Sequence, residues 1–72
     1  MYEKEIVKIL QKKGEPIGIN EIVEELAKMK KQKISYNTVK MSLKDMIISG
    51  EICGKAIGSK QRKTWVFWVP KE

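Results

Sequence analysis

At 72 residues the chain makes one domain at most, and a chain of this size buries only about 60% of the surface its unfolded form exposes, which argues against a large active-site cleft. A composition of 42% hydrophobic and 33% charged residues excludes a disordered tail, and no apolar run approaches the roughly 18 residues needed to span a bilayer. With no histidine, one cysteine and a net charge of +6, the chain lacks the commonest general base and any internal disulfide, and the charge points to a polyanionic partner.

Tyr2 to Lys13 places Tyr2, Ile6, Ile9 and Leu10 on one helical stripe with lysines and glutamates opposite, and Gly14 follows where a C-terminal cap belongs. The spacing predicts a first helix over about 2–13. In the next stretch Pro16 favours extended chain before it, and Ile17 suits a short strand or bridge. Gly18 then stands at the N-cap of a second helix, with Glu21 at the third helical position as half of a capping box. Ile17 and Ile22 have the spacing of a hydrophobic staple. This helix runs over about 19–30 with Ile19, Ile22, Val23 and Leu26 inward. Glu21, Glu24 and Glu25 face water.

The lysine-rich run from Lys28 to Lys33 ends the second helix and makes a turn, after which the same pattern repeats. Ser35 is placed to cap a third helix over about 36–49, Ile34 and Val39 have staple spacing, and Val39, Leu43, Met46 and Ile47 form the inward stripe. Gly50 closes it. From Glu51 the helical period is lost, and Ile52–Ile57 and Thr64–Val69 read as two strands rich in β-branched and aromatic residues, a hairpin over about 51–69. Its connection, from Gly58 to Lys63, contains no apolar residue. Alternation puts Trp65, Phe67 and Val69 on one face of the second strand and Val66 and Trp68 on the other, and the expectation is that the first set covers the core. Cys53 reads as a small apolar strand residue, and the last few residues look loose.

Charge divides the chain. Residues 1–29 hold five lysines against six glutamates, whereas residues 30–72 hold nine lysines and Arg62 against Asp45, Glu51 and Glu72. The third helix and the hairpin tip are therefore the basic elements.

Helix, short strand, helix, turn, helix and hairpin is an α+β order that resembles the winged helix-turn-helix superfamily, with elements H1-S1-H2-H3-S2-S3. The run Gly14–Ile22 looks like the start of the helix-turn-helix in many bacterial and archaeal regulators. Ile34–Lys40 resembles the start of their recognition helix, and Leu43 to Ile52 resembles the exit into the wing. The resemblance covers nearly all of residues 1–72 as one domain, and lysine, isoleucine and glutamate enrichment is of the kind seen in small regulators of thermophilic archaea or their viruses.

The resemblance implies that the N-terminal part of the third helix enters the major groove of double-stranded DNA. Asn37 is then placed to pair with adenine, Lys40 to reach guanine or phosphate, and Thr38 and Met41 to pack on a thymine methyl. Ser35, Tyr36 and Lys44 lie beside them. Lys60, Gln61, Arg62 and Lys63 at the wing tip suit phosphates or the adjacent minor groove, with Lys30, Lys31 and Lys33 in the turn as further phosphate contacts. The expected role is a small cytoplasmic transcriptional regulator with no enzymatic activity, no cofactor, no metal, no small-molecule ligand and no membrane contact. Helix 1 or the hairpin offers a surface for a homodimer. Two other roles stay open: a protein–protein interaction module of a transcription or replication assembly, and a non-specific nucleic-acid or RNA binder.

Overall fold

The computed structural model describes residues 2–70; the expectation of a loose end at Lys71 and Glu72 lies outside the described residues. The elements are α1 (Glu3–Lys13), β1 (Ile17–Gly18), α2 (Ile19–Lys30), α3 (Tyr36–Ser49), β2 (Cys53–Gly58) and β3 (Lys63–Trp68), the order expected of a winged helix. The strands form one antiparallel sheet in the order β1-β3-β2, with Ile17 opposite Phe67 and the β2–β3 hairpin running from Cys53 opposite Trp68 to Gly58 opposite Lys63.

The core draws on the three helices, β1 and β3, and on Ile34 and Ile52 between elements, while β2 adds none of its own side chains. Ile6, Ile9 and Leu10 of α1, Ile22 and Leu26 of α2, and Val39, Leu43 and Met46 of α3 form one buried cluster with Ile17, Ile34, Ile52 and Phe67. Fully burying each large aliphatic side chain stabilises by about 1.5–3 kcal/mol, so the helical stripes, rather than local propensity, hold these short helices in place.

Helix starts and stops use different devices. Gly18 and Ser35 occupy the N-caps of α2 and α3, yet neither helix has a side-chain cap hydrogen bond, so the Ser35 hydroxyl does not do the capping its position suggests. Instead, the staple residues Ile17 and Ile22, and Ile34 and Val39, all lie in the buried cluster and fix where each chain enters its helix. At the other end, α3 stops in a Schellman turn: the Gly50 N–H donates to the Ile47 carbonyl at 3.1 Å and the Glu51 N–H to the Met46 carbonyl at 2.9 Å. α2 ends at Lys31 with φ 54°, a left-handed conformation normally left to glycine.

The second hairpin strand departs from expectation. Phe67 is buried in the core and Val69 is half-buried against it, but Trp65, on the same face, is 51% exposed. Trp65 pairs across the hairpin with Ala56, two residues further out than the Phe67–Gly54 pair, and its ring stacks on Phe67 at 6.4 Å between centroids. The face assignment holds and the depth does not, because the hairpin extends beyond the core. Val66 is instead buried on the opposite face, flanked on the central strand by Gly18 and Lys55 of its neighbours.

Candidate nucleic-acid interface

The buried residues of α3 recur at Val39, Ser42, Leu43 and Met46, which leaves the opposite side of the helix to solvent. Tyr36, Asn37, Lys40, Met41 and Lys44 are exposed there, with Ser35 exposed just before the helix and Thr38 partly covered. Met41 is 67% exposed and Ile48, one turn beyond Lys44, 77%. α3 thus presents two ammonium groups and apolar surface together, with Asp45 as its single carboxylate.

Two glycines set the wing. Gly58 has φ 122°, and a Cβ there would collide with the Arg62 carbonyl oxygen, so only glycine closes this hairpin end. Beyond it Ser59, Lys60, Gln61 and Arg62 form the exposed tip, and Lys63 begins β3. At the base, a Cβ on Gly54 would stand 2.9 Å from both Ile47 Cδ1 and Phe67 Cδ1. Glycine here lets the β2 backbone approach the end of α3 and the Phe67 ring. That close approach positions the wing.

Between α3 and β3 lies a groove of about 400 Å³, lined on the helix side by Tyr36, Lys40, Lys44 and Ile48 and on the strand side by Trp65 and Phe67. No carboxylate among the described residues lines it. Opposite residues of an antiparallel pair share a face and alternate residues of one strand do too, so the face of β3 toward this groove runs Phe67, Trp65, Lys63 outward. Lys63 therefore continues the aromatic wall with a cation, while Lys40 and Lys44 stand on the other wall.

The structure separates the turn lysines. Lys30 donates to a Glu5 carboxylate oxygen at 2.6 Å and lies 6.0 Å from the centre of the Tyr2 ring, so it is paired with α1. The hydrogen bond from Lys30 holds the Glu5 carboxyl below the usual carboxylate range. Lys31 and Lys33 are exposed. On the acidic side of α2, Glu25 lies 3.8 Å from Lys28, while Glu21 and Glu24 face solvent.

Sequence reasoning missed Trp65 and Ile48 as surface residues. A signal existed for Ile48: in Met46-Ile47-Ile48 successive side chains point about 100° apart on a helix, so the three cannot share one buried stripe. For Trp65 strand alternation gives the face only.

Among the described residues, no group of three or more His, Cys, Asp or Glu side chains is placed to hold a metal ion, and no helix is long and apolar enough to cross a membrane. Residues 4–60 match the ribonuclease R winged-helix domain family, and the chain belongs to it. No curated protein and no solved structure gives a significant match.

Proposed function

We propose that this winged-helix domain binds double-stranded DNA through the α3–wing side, as a small transcriptional regulator that carries out no chemistry of its own. The winged helix is a nucleic-acid-binding fold, and one observation supports the reading further: the exposed side of α3, with Lys40 and Lys44, and the Trp65–Phe67 face of β3 border a single groove lined by no carboxylate among the described residues. In this reading Asn37, Lys40, Met41 and Lys44 face the major groove, with Thr38 at its edge and Ser35 and Tyr36 near phosphates. Lys60, Gln61, Arg62 and Lys63 follow the adjacent backbone, and Lys31 and Lys33 add phosphate contacts from the turn. Lys30 is the weakest of the turn candidates, because a phosphate would compete with its ion pair to Glu5.

About five phosphate contacts give a slope of about −4 to −5 in log affinity against log salt. The test is titration of a fluorescent duplex pool at several salt concentrations, with wild type and with a Lys60→Ala/Arg62→Ala/Lys63→Ala variant. Salt-sensitive binding weakened in the variant supports the reading. A slope near zero, or no binding at low salt, rejects it in favour of a protein–protein module that uses the exposed Ile48 and Trp65.

The family name favours a second reading, RNA as the ligand, since the family is that of a ribonuclease's winged-helix domain. A-form RNA has a deep, narrow major groove that side chains cannot read. Tighter binding to an RNA duplex than to DNA of the same sequence, with Asn37→Ala neutral, would favour it.

A further inference from the structure

We infer that the groove between α3 and β3 seats one unpaired nucleobase with its flanking phosphates, so that the domain prefers a duplex bordered by a single-stranded segment to a blunt duplex. The inference rests on the reading that the α3–wing side meets nucleic acid, and says what its most apolar part is for.

Three features of the groove bear on its occupant. Trp65, a large aromatic, is half exposed, and its wall continues into Phe67 within the core. In so small a domain, exposed aromatic surface of this kind marks a binding place. Next, Lys40 and Lys44 stand on the facing wall and Lys63 follows Trp65 along its strand, with no acid among the described residues of the lining. Lys40 and Lys44 are both exposed, so their stems add apolar wall while their ammonium groups stay at the rim, where they would meet an anionic group attached to an apolar occupant. A nucleotide supplies both halves, a flat π-face for the indole and phosphates for the lysines, the combination by which single strands are held. Finally, the volume of about 400 Å³ falls within the range of small-ligand sites, about 300–1,000 Å³.

The base must be unpaired. Inside a duplex both faces of a base are covered by its neighbours, so an indole can stack on it only at an end, in an overhang or after extrusion. DNA and RNA share this chemistry, and the sugar determines which is held better.

The test uses the Trp68→Phe variant, in which Trp65 is the remaining tryptophan and its emission reports on the groove. The probes are a short blunt DNA duplex, the same duplex carrying a single-stranded pyrimidine overhang in DNA or RNA form, and an amphipathic acidic peptide. Either overhang is expected to quench Trp65 emission and to raise affinity at least about fivefold over the blunt duplex, as one stacked base does. Trp65→Leu keeps apolar bulk but removes the π-face, and is expected to bring the ratio of overhang to blunt affinity to one; its thermal melt verifies that it is folded.

Salt-sensitive binding with equal affinity for blunt and overhang duplexes overturns the inference while the duplex reading stands. Retention of the overhang preference by a folded Trp65→Leu variant overturns it as well. Quenching by the acidic peptide and not by either overhang makes the groove a peptide site. Absence of salt-sensitive binding to every nucleic acid removes the duplex reading itself.

Discussion

Gly54→Ala tests the account of how the wing is placed. Its φ lies outside the left-handed region, so backbone conformation does not resist alanine and the obstacle is space alone. The new methyl carbon would stand 2.9 Å from Ile47 Cδ1 and from Phe67 Cδ1, and 3.2 Å from Phe67 Cε1. Ile47 is half-buried at the end of α3 and its terminal methyl can swing aside, whereas Phe67 is locked in the core. Overpacking of this kind costs about 1–3 kcal/mol, and the lower entropy of the unfolded chain returns about 0.4–1 kcal/mol. The expected net loss is about 0.5–2 kcal/mol, with Tm falling by about 4–8 °C per kcal/mol in a domain of this size. Thermal and urea melts measure it. Ile47→Val removes the Cδ1 atom that the alanine would strike, so the double variant should lose less than the sum of the two single losses. A Gly54→Ala melt at or above wild type, or losses that simply add, would refute the reasoning.

Three further outcomes follow from particular residues. Gly58→Ala combines φ 122° with a collision at the Arg62 carbonyl and should cost about 1–3 kcal/mol, seen as faster amide exchange across the hairpin; exchange equal to wild type would sink the account of the tip. Lys31→Gly relieves a non-glycine residue at φ 54° and, after the offsetting entropy of glycine in the unfolded chain, should stabilise by up to about 1 kcal/mol; a lower Tm would count against it. Glu5 has a depressed pKa, so its contribution is present above the ordinary carboxylate range and is lost as pH falls through its folded value. Thermal melts between about pH 6 and pH 3 should therefore decline less steeply in Glu5→Gln than in wild type, and parallel declines would show the Lys30 pair to be inert.

Much of the molecule is legible in neighbouring residues. The stripes Ile6, Ile9, Leu10 and Val39, Leu43, Met46 mark their helices because a period of 3.6 allows only one face to be buried, and the staple pairs mark two helix starts. The Trp65–Phe67 alternation is likewise correct as a statement of face. Local pattern has a limited reach, however. Strand alternation says which side a residue takes and nothing about how far the opposing layer extends, so burial of Phe67 and exposure of Trp65 depend on where α3 ends beneath the hairpin. Similarly, Lys30 looks like any turn lysine until folding brings Glu5 from the start of α1 against it. The groove itself belongs to neither α3 nor β3. It exists because Gly54 lets two elements with separate sequence signals approach each other, and such a distance is set by packing among residues far apart in the chain.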